Sequence, residues 1–138
     1  MKTRNLIMFG MILLILLAGC SKGGENASAI TTITLDSETS IPAESCKERG
    51  LNGKIIMLES EHCGHCKIAD PILKEIEQEK GLDFEFLDVS KKEDRAVMES
   101  YGVSIMYTPT LLAGCSVYIG SKTKEEYQEI INTFVEAR

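Results

Sequence analysis

With 138 residues, the chain has room for one domain with one core and too few residues for two. Ordinary apolar, charged and glycine contents exclude collagen-like and disordered classes, and a formal charge of -6 with no basic patch argues against nucleic acid. The five cysteines are the informative count, because their chemistry depends on the compartment in which the chain resides.

Lys2 and Arg4 precede an apolar run from Leu6 to Ala18, short for a bilayer span but suited to the hydrophobic part of a secretory signal. The run closes on Leu17-Ala18-Gly19-Cys20, then Ser21-Lys22-Gly23-Gly24. That closure resembles the lipobox of bacterial lipoproteins. The resemblance implies cleavage after Gly19 and a lipid on the sulfur of Cys20, which removes Cys20 from redox chemistry and ties the mature chain to a membrane. An uncleaved signal anchor is the other reading, and both export the domain. Cleavage leaves 119 residues and removes Lys2 and Arg4, moving the formal charge from -6 to -8. The expected organisation is a signal peptide over 1–19, a lipid-anchored flexible tether over 20–29 and one domain over 30–138.

Within the domain, Ile30 to Leu35 is rich in isoleucine and threonine and reads as a strand. Pro42-Ala43-Glu44 opens a short helix ending near Gly50. Lys54-Ile55-Ile56-Met57-Leu58 has the pattern of a central strand buried on both faces, and it leads directly into Cys63-Gly64-His65-Cys66. Beyond it, Ile68, Ile72, Leu73 and Ile76 recur at helical spacing until Gly81. Phe84 to Val89 is a further strand, and Ala96 to Tyr101 a short helix stopped by Gly102. Thr110 to Ala113 and Val117 to Ile119 pair as a hairpin about Gly114-Cys115. Tyr127, Ile130, Ile131, Phe134 and Val135 form one stripe of a last helix, opened by a capping box of Thr123 and Glu126. The order β-α-β-α-β-α-β-β-α predicts an α/β domain with helices on both faces of a sheet.

The chemistry sits where the buried strand ends and a helix begins at the first of two cysteines in C-x-x-C spacing. Unpaired backbone N–H groups and the positive end of the helix dipole converge there, stabilising a thiolate. Cys63 is therefore the expected nucleophile and Cys66 the resolving cysteine, one turn further on. His65 between them stabilises the thiolate further, which favours the reduced form and makes the disulfide a better oxidant. Three other readings compete. A metal site would draw on Cys63, Cys66, His62 and His65, but these crowd one turn with no second pair to complete a tetrahedron, so no metal is expected. Covalent haem fails because Lys67 stands where its histidine is required. A purely structural disulfide remains open.

The Cys63-Gly64-His65-Cys66-Lys67 run resembles the active site of protein disulfide isomerase domains, and is similar to thioredoxin apart from its histidine. Pro71, Phe86-Leu87-Asp88-Val89, Tyr101-Gly102-Val103 and Thr108-Pro109-Thr110 match further signatures of the thioredoxin superfamily, in order, over about residues 50 to 138 and as far back as 30. The resemblance implies a thioredoxin-like α/β fold with a central mixed sheet and helices on both faces. It also implies that Pro109 is a cis-proline beside the active-site disulfide, and that the backbone of Thr108 pairs with an extended substrate segment. Two departures stand out. Met57 occupies the position of the family's usual buried acid, six residues before the first cysteine. Glu59 shares its strand parity and is a candidate for proton transfer, as is Lys67, although Glu59 also reads as a solvated strand end. His62 replaces the usual tryptophan and reads first as a surface histidine, with tuning of Cys63 as the lesser reading.

Cys46 and Cys115 are left over, an even remainder that in an exported protein invites a structural disulfide. The expected function is exchange of disulfides with exported protein thiols or disulfides by a monomer without cofactors. A membrane or extracytoplasmic redox partner would recharge it. A membrane-tethered reductant, for example in cytochrome c maturation, a metal-binding lipoprotein and an idle thioredoxin-like binding module are the rivals.

Overall fold

The computed structural model describes residues 30–138, so the expected signal peptide and Cys20 lie outside the described residues. The elements run β1 (Ile33–Leu35), β2 (Thr39–Ser40), α1 (Ala43–Glu48), β3 (Ile55–Glu59), α2 (Cys66–Lys80), β4 (Phe84–Asp88) and α3 (Lys92–Ser100). They continue as β5 (Val103–Ile105), β6 (Thr110–Ala113), β7 (Ser116–Ile119) and α4 (Lys124–Glu136). The five-stranded mixed sheet has the order β2-β7-β6-β3-β4, with β3 and β4 parallel and the other neighbours antiparallel.

Alternation along β3 divides the core into two layers. Ile56 and Leu58 face one side, where they join Cys46 of α1, Met98 of α3, Leu87, Leu112 and Val117. Ile55 and Met57 face the other, packing with Ala69, Leu73 and Ile76 of α2 and Tyr127, Ile131 and Phe134 of α4. A strand buried on both faces needs apolar residues at every position, which is why β3 shows no polar alternation. Its final residue, Glu59, belongs by parity to the α2/α4 side.

Two short strands go beyond the sequence reading. β2 has two residues and β5 three, too few to display alternation. β5 exists because β1 pairs with it in parallel, Ile33 opposite Val103, and this pair forms a two-stranded sheet separate from the central one. α3 is longer than the expected Ala96–Tyr101, because the polar turn Lys92-Glu93-Asp94 carries no apolar periodicity. Gly81 and Gly102 end α2 and α3 with φ of 60° and 62°, a left-handed conformation that glycine adopts without a Cβ penalty. The last helix opens with the capping box: Glu126 N–H donates to Thr123 Oγ1 at 3.2 Å, and Thr123 N–H donates to Glu126 Oε2 at 2.7 Å.

A second disulfide joins Cys46 in α1 to Cys115 in the β6–β7 turn, with Cα atoms 5.6 Å apart. Nearby, Arg49 is buried with its guanidinium spent on backbone. It donates to Gly102 O at 2.6 Å, Tyr101 O at 3.2 Å and Thr31 O at 2.6 Å, and to Ser45 Oγ at 3.1 Å. One charged side chain thus gathers the end of α1, the end of α3 and the segment entering β1.

Candidate active site

β3 carries the chain to Glu59, and the turn Ser60-Glu61-His62 then reverses it so that Cys63 N–H donates to Ser60 O at 2.9 Å. Cys63 and Cys66 are joined as a disulfide, their Cα atoms 5.3 Å apart. α2 begins at Cys66 rather than at Cys63, with His65 in the capping position. Gly64 and His65 contribute no capping side chain, so the regular helix starts one turn late, although Lys67 N–H already reaches Cys63 O at 3.4 Å. The electrostatic consequence is unchanged. Cys66 N–H donates to Cys63 Sγ at 3.1 Å, so a free helix-end donor points at the outer sulfur.

The two sulfurs differ in access. Cys63 is partly exposed, whereas Cys66 is 1% exposed beneath it. The peptide bond between Thr108 and Pro109 is cis, and Thr108 O lies 3.4 Å from Cys63 Sγ. Thr110, fully buried, donates from Oγ1 to Tyr107 O at 2.8 Å and closes this turn from inside. Pro109 O accepts from Gly120 N–H at 2.8 Å, which draws the segment after β7 towards the motif. Ser121, on that segment, places its hydroxyl 3.4 Å from His65 Nδ1. Around the sulfurs, Ile68, Met106 and Tyr107 are more than half exposed despite being apolar.

Glu59 is partly buried on the α2 side of the sheet. Burial first, and then the neighbouring Asp70 carboxyl, push its pKa up to about 7. Lys74 opposes that rise, and Asp88, opposite Glu59 in the β3–β4 register, adds to it. Asp88 itself is held below the ordinary carboxylate range by the hydroxyl and N–H of Ser90. Lys67 is exposed in the first turn of α2, and no hydrogen bond or ion pair among the described residues links it to Glu59. His62 stands in solvent, its Nε2 3.1 Å from Glu61 Oε1. Asp70 and Ser121 escaped the sequence reading. Asp70 is legible only as the residue four positions after Cys66, and Ser121 carries no local signal at all.

Among the described residues, no group of three or more His, Cys, Asp or Glu side chains is arranged to hold a metal ion. Two surface hollows, one of about 460 Å³ and one of about 660 Å³, lie around Gly53 and Phe134 at the start of β3, the opposite end of that strand from the motif. The arrangement at Cys63 and Cys66 offers sulfur chemistry: a partly exposed outer sulfur with a helix-end N–H directed at it, bonded to a buried inner one.

The family model for thioredoxin matches residues 51–136. Thioredoxin from Listeria monocytogenes serovar 1/2a is 35% identical over 78 residues, 53% of this chain and 74% of that relative. Thioredoxin from Bacillus subtilis strain 168 is 35% identical over 75 residues, 51% of this chain and 70% of the relative. Among solved structures, Fasciola hepatica thioredoxin superposes with a TM-score of 0.46 at 19% identity, covering 66% of this chain and 88% of its own. With the family model matching more than half of the chain and relatives 35% identical, the chain belongs to the thioredoxin family and is a thiol–disulfide oxidoreductase.

Proposed function

We propose that this protein works outside the cytoplasm, held to a membrane by a lipid on Cys20, and exchanges disulfides with exported proteins. Cys63 attacks, or is attacked by, a partner sulfur, and Cys66 resolves the adduct. Thr108 backbone and the Pro109 ring hold the partner chain, with exposed Ile68, Met106 and Tyr107 offering it an apolar bed. The observation that carries this reading is the N–H of Cys66 directed at Cys63 Sγ, 3.1 Å away, on the more accessible of the two sulfurs. Export is supported by the Leu17–Cys20 closure and by the second disulfide, since disulfides persist mainly in oxidising compartments. His65 tilts the pair towards disulfide formation or isomerisation rather than reduction, because an imidazole near the thiolate stabilises the reduced form.

Cys66→Ser tests the assignment in cells. It should accumulate mixed disulfides with exported proteins that dissolve on adding reductant and vanish in Cys63→Ser/Cys66→Ser. Cys20→Ala should release the domain from the membrane fraction. Absence of trapped exported partners would overturn the exchange reading, and a redox potential near roughly -270 mV, that of thioredoxin, would replace oxidation with reduction.

A further inference from the structure

We propose that Ser121 is the positioning residue of His65: its hydroxyl holds the imidazole on the cis-proline side of the motif before any thiolate forms, and so makes the Cys63–Cys66 disulfide easier to reduce. The proposal rests on the reading of His65 as the residue that stabilises the Cys63 thiolate. His65 occupies the capping position of α2 and is exposed. An exposed ring samples several rotamers, and an electrostatic contact that must first order it loses part of its worth to side-chain entropy. In this chain the ring already has a partner. Ser121 Oγ lies 3.4 Å from His65 Nδ1, although the two residues are 56 positions apart in sequence. A hydroxyl both donates and accepts, so the contact persists whichever ring nitrogen carries the proton.

The contacts around the motif close into a circuit. Cys63 Sγ is 3.4 Å from Thr108 O, and the next carbonyl, Pro109 O, accepts from Gly120 N–H at 2.8 Å. Ser121 follows Gly120 and leads back to the ring between the two cysteines. The imidazole is therefore tied on the side of the motif where the outer sulfur meets the cis-proline loop.

Ser121 is itself held in place. It is half-buried, between the end of β7 and the capping box that opens α4. Gly120 O accepts from the hydroxyl of buried Tyr127 at 3.5 Å. On the other flank, Glu38 Oε1 accepts from Ile119 N–H at 3.2 Å and from Lys122 Nζ at 2.6 Å. Glu38 precedes β2 and lies ahead of residues 51–136, which the thioredoxin model matches, so the N-terminal part of this chain braces the segment that carries Ser121. A hydroxyl on a segment fixed at both flanks costs little further ordering to present, which is what preorganisation requires.

Reduction by glutathione breaks the Cys63–Cys66 bond and adds two electrons. Two glutathione thiols become one glutathione disulfide, Cys63 is left as a thiolate, Cys66 as a thiol, and one proton passes to solvent. A ring already in place stabilises that thiolate without a fresh ordering cost, so the equilibrium moves towards the reduced form.

The full chain in detergent, equilibrated in glutathione buffers, quenched by alkylation and read by peptide mass at Cys63 and Cys66 alone, gives the ratio [GSH]²/[GSSG] at half reduction. Ser121→Ala should raise that ratio about three- to tenfold, the worth of one net hydrogen bond. A tenfold rise corresponds to a potential lower by about 30 mV for a two-electron couple. Ser121→Thr keeps the hydroxyl and should return the midpoint towards the wild type. In a His65→Ala background, whose own midpoint should already be raised, Ser121→Ala should add nothing, because the cycle isolates the coupling between the two side chains. The His65 Nδ1 15N signal of the oxidised protein should also move on Ser121→Ala. An unmoved midpoint in Ser121→Ala, or an equal rise in the His65→Ala background, would overturn the assignment to Ser121. A His65→Ala midpoint identical to the wild type would instead overturn the reading of His65 beneath it.

Discussion

Removing the Cys46–Cys115 bond is the most quantifiable perturbation of the domain. The bond links residues 69 apart in sequence, so it closes most of the folded chain into one loop. In the chain-entropy account, a loop of that length removes about 4.4 kcal/mol of unfolded-state freedom at 25 °C. Cys46 is fully buried, so replacing it also leaves a small void in the α1/α3 layer. Cys46→Ala/Cys115→Ala should therefore destabilise the domain by about 4 kcal/mol and lower Tm by roughly 20 °C. Urea unfolding followed by far-UV circular dichroism, with Cys63–Cys66 kept oxidised, measures it. The midpoint should fall by roughly 2–3 M, and the slope should steepen because the unlinked chain exposes more surface. A loss below about 1 kcal/mol would refute the reasoning, showing that the unfolded ensemble is already compact without the link.

Arg49→Ala strips donors from three backbone carbonyls and should cost about 2–4 kcal/mol in the same assay, with earlier proteolytic cleavage before β1; a cost under about 0.5 kcal/mol would show that water replaces the guanidinium. Thr123→Ala removes the capping box of α4 and should cost about 1 kcal/mol by thermal unfolding, with Thr123→Ser restoring most of it. Glu59 has a folded pKa raised from 4.5 to about 7, so the stability contributed by its neutral form is complete below about pH 4.5 and is lost as pH rises through about 7. Glu59→Gln should accordingly gain on the wild type between those values, by on the order of 1 kcal/mol once solvent screening of this partly exposed group is allowed for. Equal pH dependence of the two proteins would remove Glu59 from the account.

Much of the fold was legible because its signals are local. An apolar strand buried on both faces, a helical stripe, a glycine stop and a capping box each lie within one element, and β3, α2 and α4 formed close to where their patterns lie. The cysteine motif was legible for the same reason, since strand, turn and helix start are contiguous. Boundaries fared less well where polar residues mask periodicity, as at α3, or where an element is shorter than its own repeat, as at β2 and β5.

The sequence by itself determined the type and order of the main elements, the place of the sulfur chemistry and the side of β3 that Glu59 faces. Only the tertiary structure decided that Cys46 lies against Cys115, that Arg49 binds carbonyls from two segments distant in sequence, and that Ser121 stands beside His65. The physical reason is the same throughout: these partners are brought together by strand order and layer packing across long stretches of chain, and no local periodicity records which surfaces will meet.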